Sequence, residues 1–161
     1  MLFKPTLYRK SARELSAEEL KKMDIRLLLL DADNTLRRHH DKTPCDWVED
    51  FTKRMNEGGI SLIITSNAKA ANVAGFANTV GLPFYALCKK PLPFKIRKII
   101  RNAGVKNTQA AIVGDQLFTD ILCAKLANIR SVLVSPIELE NKWNFKIRRA
   151  IERPFLRRIT K

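Results

Sequence analysis

At 161 residues the chain has the length of one domain, enough to bury a sizeable core. It is 45% hydrophobic and 29% charged, which excludes a disordered or membrane-embedded chain and fits a soluble globular one. Its net charge of +14, from 30 Lys plus Arg against 16 Asp plus Glu, exceeds what solubility needs and implies an anionic partner: nucleic acid, an acidic membrane surface or a phosphorylated substrate.

The N-terminal stretch interleaves Phe3, Leu7 and Tyr8 with Lys4, Arg9, Lys10 and Arg13. It reads as an arm whose apolar residues pack on the domain or touch a membrane. Ser16 with Glu19 three residues on forms a capping box for a short helix through about Met23. The run Ile25, Leu27, Leu28, Leu29, Leu30, broken only by Arg26, reads as a buried strand of a parallel sheet. It ends in Asp31-Ala32-Asp33-Asn34-Thr35-Leu36. If the strand persists, Asp31 and Asp33 lean to one side. Two acids so close repel, and either keep a proton or gather a cation. The pair is either a solvated strand-to-loop junction or a nucleophile, metal ligand and acid/base in one place.

The segment Arg37-Arg38-His39-His40-Asp41-Lys42 reads as a polar loop, with the two histidines solvated because no third ligand converges on them. Asp46 is expected to cap a helix with Trp47, Val48, Phe51 and Met55 as its apolar stripe, stopped by Gly58-Gly59. Ile60 to Ile64 is a second strand, ending in Thr65-Ser66-Asn67. A hydroxyl there is either an anion site or a simple helix N-cap by Ser66 or Asn67. Ala68 to Val80 is a helix, Phe84 to Leu87 a short third strand, and Lys90 before Pro91 a cation on extended backbone. Pro93 opens another helix. Ala110 to Val113 is the fourth strand, followed by Gly114-Asp115-Gln116-Leu117-Phe118-Thr119-Asp120. Gly114 suits a tight turn. Asp115 and Asp120 suit a helix start or a hard, oxygen-ligated cation such as magnesium. Arg130 to Ser135 is the fifth strand.

The order βαβαβαβαβ predicts a parallel sheet with helices on both faces and a ligand site beyond the strands' carboxyl ends. Asp31, Asp33, Ser66, Lys90, Asp115 and Asp120 all fall at such ends. Cys45, Cys88 and Cys123 are scattered without a CxxC pair, suggesting a reducing compartment and no zinc site. The N-terminus lacks an apolar signal core and no apolar run reaches about 18 residues, so neither classical export nor a membrane span is expected.

Together the motifs DADNTL, TSN, KKPLPF and GDQLFTD resemble the haloacid-dehalogenase (HAD) superfamily of phosphotransferases over roughly Ile25 to Pro136. They are most similar to its YqeG-type, or phosphatidylglycerophosphate phosphatase, branch. The chain departs from that branch at Ala68, where a second Asn is usual, and at Cys123-Ala124-Lys125, where Gly-Gly-Asn is usual. The resemblance implies an α/β fold, a HAD-like Rossmannoid three-layer sandwich with a parallel sheet. It implies Asp31 as nucleophile and Asp33 as general acid/base. Magnesium would be held by the Asp31 carboxylate, the Asp33 carbonyl and Asp115, with Asp120 close by. Lys90, Ser66 and backbone amides near Asn67 would bind the phosphate. Leu36 to Ile60 and Asn67 to Lys90 are too short for a cap domain. An uncapped site suits a phosphate embedded in something larger, such as a lipid headgroup or a nucleic-acid end.

From Ile137 to Lys161 there are eight basic and three acidic residues, with Leu139, Trp143, Ile147, Ala150 and Ile151 on one helical face. A basic amphipathic C-terminal helix fits an anionic membrane surface, or else covers the sheet edge. The expected organisation is residues 1–24 as arm and short helix, 25–136 as phosphatase core and 137–161 as basic tail. The expected activity is magnesium-dependent conversion of phosphatidylglycerophosphate to phosphatidylglycerol by a cytoplasmic, peripherally membrane-associated enzyme, or one in the mitochondrial matrix or a plastid. The alternatives are a phosphatase of a nucleic-acid end or soluble phosphoester, and a non-enzymatic basic module binding RNA or membrane. Clustered carboxylates speak against the last.

Overall fold

The computed structural model describes residues 4–39, 41–138 and 152. Six parallel strands form one sheet in the order β1-β6-β5-β2-β3-β4. They are β1 (Leu7–Arg9), β2 (Leu27–Leu30), β3 (Ser61–Thr65), β4 (Phe84–Tyr85), β5 (Ala110–Gly114) and β6 (Arg130–Val134). The helices are α1 (Ala17–Lys22), α2 (Val48–Glu57), α3 (Ala70–Val80), α4 (Phe94–Asn102) and α5 (Leu122–Ala127), the last entered through a π-helical turn, Leu117–Ile121.

The leucine run of β2 is uninterrupted because both its faces are covered. Leu28 and Leu30 join Phe51 and Met55 of α2 and Val73 and Phe76 of α3 in one core layer. Leu27 and Leu29 join Ile96, Ile99 and Ile100 of α4 and Cys123, Ala124 and Ala127 of α5 in the other. β2 is central, with Leu30 opposite Ile64 of β3 and Val113 of β5. The chain moves outward from β2 to β3 and β4, then returns to β5 on the other side. That reversal opens a crevice at the carboxyl ends of β2, β3 and β5.

Five local expectations change. The N-terminal arm contributes a sixth strand: Leu7 lies opposite Val132 and Tyr8 opposite Leu133. Three residues flanked by cations are too short for periodicity to mark as a strand. Ser16 accepts from the Glu19 amide at 3.1 Å, but the Glu19 carboxylate pairs with Arg9 instead of closing the capping box. Asp46 does not cap α2, which begins after Trp47 without a side-chain cap, and α3 begins at Ala70 rather than Ala68. β4 stops at Tyr85 because Leu87 (φ 49°) and Lys89 (φ 56°) take left-handed backbone.

Among the described residues no folded insert stands after β2 or β3, so they hold no cap domain. Among the described residues of 31–47 one bridge forms, Asp33 to Arg37, and residues 66–69 make a short bend. Of the tail 137–161, expected to form an amphipathic helix, Ile137, Glu138 and Glu152 are among the described residues, and the rest lies outside them.

Candidate active site

Asp31 continues β2, its amide donating to the Val113 carbonyl at 2.9 Å. Its carboxylate therefore emerges where the sheet ends, between β3 and β5. Thr65 ends β3, and Asp115 directly follows β5. Lys90, on the loop after β4, reaches back over these ends. Its Nζ donates to Asp31 Oδ1 at 2.7 Å, Asp120 Oδ1 at 2.7 Å and the Thr65 carbonyl at 3.0 Å. All four ionic groups are deeply buried, from 9% exposed for Asp31 to 1% for Asp115 and Asp120.

Burial raises the Asp31 carboxyl to about 7 even though the Lys90 ammonium pulls it down. The two carboxylates in turn hold Lys90 firmly protonated, against the effect of its own burial. Asp31, Asp115 and Asp120 each offer a carboxylate oxygen, and these lie within 4.8 Å of one another. With all three ionised, the carboxylates facing one ammonium leave a formal charge of −2. An all-oxygen set with that charge fits a hard divalent cation such as magnesium. The expected ligands Asp31, Asp115 and Asp120 thus converge.

The Asp33 carboxylate stands apart from that cluster. It accepts from Arg37 Nε at 2.9 Å. Arg37, expected in a solvated loop, is 1% exposed. Its other nitrogens donate to the Asp41 carbonyl at 2.8 Å and the Asn72 carbonyl at 3.0 Å, and its guanidinium lies 4.8 Å over the Phe76 ring. The structure thus gives Asp33 a fixed orientation that sequence reasoning missed. The available signal was the four-residue spacing of Asp33 and Arg37.

Ser66 Oγ accepts from the Ala68 amide at 3.1 Å and keeps its own proton to donate. The Asn67 side chain turns to the Lys90 backbone. Its Oδ1 accepts from the Lys90 amide at 2.7 Å and its Nδ2 donates to the Lys90 carbonyl at 2.8 Å. Its side chain positions the lysine. Gly114 is required for closeness rather than for a turn: a Cβ there would lie 2.3 Å from Asp120 Cγ. Asp120 is also fixed by the Gln116 amide, which donates to Oδ2 at 3.2 Å. The start of the π turn is capped by a distant residue. Glu152 Oε1 accepts from the Leu117 amide at 3.0 Å and the Phe118 amide at 3.3 Å. Nothing in the basic tail sequence marks that acid as different from its neighbours.

A buried carboxylate beside a lysine, with further acids just after the adjoining strand, is one constellation across four loops. The family model of haloacid dehalogenase-like hydrolases matches residues 4–134. The chain belongs to that family. Within the HAD family it is similar to the probable phosphatase YqeG of Bacillus subtilis (strain 168), 27% identical over 154 residues that cover 96% of this chain and 90% of that one. Among solved HAD-fold structures, it resembles D,D-heptose 1,7-bisphosphate phosphatase from B. bronchiseptica complexed with magnesium and phosphate. The TM-score is 0.57 at 17% identity, over 68% of this chain and 80% of that one. It equally resembles the cobalt-bound deoxy-D-mannose-octulosonate 8-phosphate phosphatase of Haemophilus influenzae, with a TM-score of 0.57 at 16% identity over 83% and 90% of the two chains. These last two likenesses concern the fold. The family match and the YqeG likeness make this chain a HAD-type phosphatase.

Proposed function

We propose that the protein hydrolyses a phosphomonoester through an aspartyl-phosphate, with phosphatidylglycerophosphate as substrate and phosphatidylglycerol as product, at a membrane surface. The observation that carries the chemistry is the Lys90 ammonium seated on both Asp31 and Asp120 at an uncapped strand end. The lipid substrate is supported by the motif resemblance, by the open site and by the net charge of +14.

An Asp31 carboxylate oxygen attacks phosphorus and forms an acyl phosphate, while the bond to the leaving oxygen breaks. Asp33, held at the edge of the site by Arg37, gives that oxygen its proton, so the alcohol departs and Asp33 remains as a carboxylate. It then takes a proton from water as the water attacks phosphorus. Inorganic phosphate departs, Asp31 is regenerated and Asp33 recovers its proton. Lys90 and the Ser66 hydroxyl offset charge on the non-bridging oxygens. Asp31, Asp115 and Asp120, with the Asp33 carbonyl, would hold magnesium, whose charge offsets the repulsion between carboxylate and phosphate dianion.

A phosphate-release screen tests the reading. It compares phosphatidylglycerophosphate in mixed micelles, 5′- and 3′-phosphorylated oligonucleotides and small phosphoesters, each with parent and Asp31→Asn protein. The lipid should be turned over fastest and Asp31→Asn should be inactive. Preferential turnover of oligonucleotides would move the substrate to nucleic-acid ends. Substantial magnesium-dependent release by Asp31→Asn would reject the nucleophile.

A further inference from the structure

The loop that delivers Lys90 carries more apolar surface than a lysine carrier needs. Leu87 is 51% exposed, Leu92 50% and Phe94 72%, the largest exposures of big apolar side chains among the described residues. With Cys88, Lys89 and Lys95 they line one open groove of about 550 Å³. Neither leucine is left over from a helix or strand stripe. Left-handed Leu87 and Lys89 turn the chain away from β4, and Leu92 precedes α4. The groove is anchored to the site from behind. The Leu87 amide donates to the Ala68 carbonyl and the Cys88 amide to the Ser66 carbonyl, both at 2.9 Å, while Asn67 clasps Lys90. The apolar tips and the reacting groups therefore belong to one braced loop system.

The stretch of chain that carries the groove has one sign of charge. Between Glu57 and Asp115 the chain has eight Lys or Arg and no acid. Lys89, Arg97, Lys98 and Arg101 are exposed, on the groove's own loop and on α4, which continues from it. Apolar tips that protrude amid cations, with no acid among them, match a surface that is anionic at its face and apolar just beneath. A nucleic acid would answer the cations but not the two leucines. A protein partner would call for a larger and flatter apolar face.

We propose that Leu87, Leu92 and Phe94 form the membrane-docking rim of the active site, entering the headgroup boundary of an anionic phospholipid bilayer while the cations around them meet the lipid phosphates. This deepens the lipid-phosphate reading and rests on it for the substrate, whereas the docking stands on the loop itself. Seated this way, the rim brings the Lys90 loop to the level of the headgroups. A terminal phosphate need not leave the bilayer far to reach Asp31.

The test uses the whole protein with vesicles of phosphatidylcholine alone or mixed with phosphatidylglycerol, and compares it with Leu92→Ser/Phe94→Ser and with Phe94→Glu. Turnover is measured on p-nitrophenyl phosphate, on short-chain monomeric phosphatidylglycerophosphate and on the same headgroup in vesicles. The parent should sediment with anionic vesicles and not with neutral ones. Both variants should lose about tenfold in vesicle affinity and in turnover of the embedded substrate. Their turnover of the two soluble substrates should stay within about twofold of the parent's, which also shows that they fold. Variants that bind anionic vesicles as the parent does, or a parent that ignores such vesicles, would overturn the rim. If the parent docks and the variants do not, yet the lipid phosphate is left intact in every form, the rim stands and the substrate assignment falls. If parent and variants hydrolyse embedded and soluble lipid equally, the substrate stands and the rim falls.

Discussion

Arg37 holds Asp33 at 2.9 Å from a position that is itself buried and bonded to two backbone carbonyls. The acid is thereby aimed by a cation outside the Asp31–Lys90–Asp120 cluster. Arg37→Met keeps most of the volume and removes the aim. It should lower kcat about 10- to 100-fold with little change in KM, and cost about 2–4 kcal/mol because two carbonyls lose their donors. The loss should be greater for alkyl phosphates, whose leaving oxygen needs the proton, than for p-nitrophenyl phosphate. Equal losses on both would make Arg37 purely structural. Arg37→Lys should rescue only partly, since one ammonium cannot serve three acceptors in a plane.

Asn67 makes two bonds to the backbone of Lys90, one in each direction. Asn67→Ala removes both, and Asn67→Asp keeps an acceptor for the amide but sets a carboxylate against the carbonyl. Both should cost about 1–2 kcal/mol in denaturant unfolding and reduce kcat about tenfold, through a Lys90 that no longer stays on Asp31. Full activity in either variant would show that the clasp is dispensable.

Gly114 and Asp120 are in closer approach than any side chain allows. Gly114→Ala should push Asp120 off the cluster, weaken magnesium binding by calorimetry at least about tenfold, and cost about 1–3 kcal/mol. Gly75→Ala is the control. It lies inside α3 with nothing near its Cβ, and should stabilise by about 0.5–1 kcal/mol. Unchanged magnesium affinity in Gly114→Ala would remove Asp120 from the ion's surroundings.

Asp31 sets a pH dependence. Burial raises its carboxyl from an ordinary 3.8 to about 7. Between those values the folded chain keeps a proton that the unfolded chain has released. This group therefore stabilises the ion-free fold at low pH, and the contribution is lost as pH rises toward 7. Magnesium must displace that proton. Its affinity should climb with pH and level off above about 7, with close to one proton released per ion at about pH 6 and almost none at about pH 8. Titration calorimetry in buffers of different ionisation enthalpy counts the protons. A release that does not vary with pH would mean that Asp31 is already ionised.

What the sequence made legible were residues whose position along the chain settles their place. Asp31, Ser66 and Asp115 follow apolar runs, so a parallel sheet carries them to one edge. What it hid depends on side chains that turn back on the structure. Arg37 is buried through carbonyls of Asp41 and Asn72, the second of them 35 residues away. Asn67 looks like a cap or an anion ligand, and only the path of the Lys90 loop shows which groups it meets. Gly114 reads as a turn, yet the constraint comes from Asp120 folding back onto it. Glu152 is one acid among many cations, and its use is set by two amides more than 30 residues earlier.

The edge strand has a bearing on how the molecule assembles. Thr6, just before β1, bonds to Ser131, just inside β6, across 125 positions. Closing a loop of that length in an unstructured chain costs about 4 kcal/mol, and three residue pairs return little against it. The first of the described strands along the chain is thus among the last to find its place, after β6 has joined β5. Its amides should exchange with deuterium well before those of β2, which marks the opposite ends of the molecule's range of local stability.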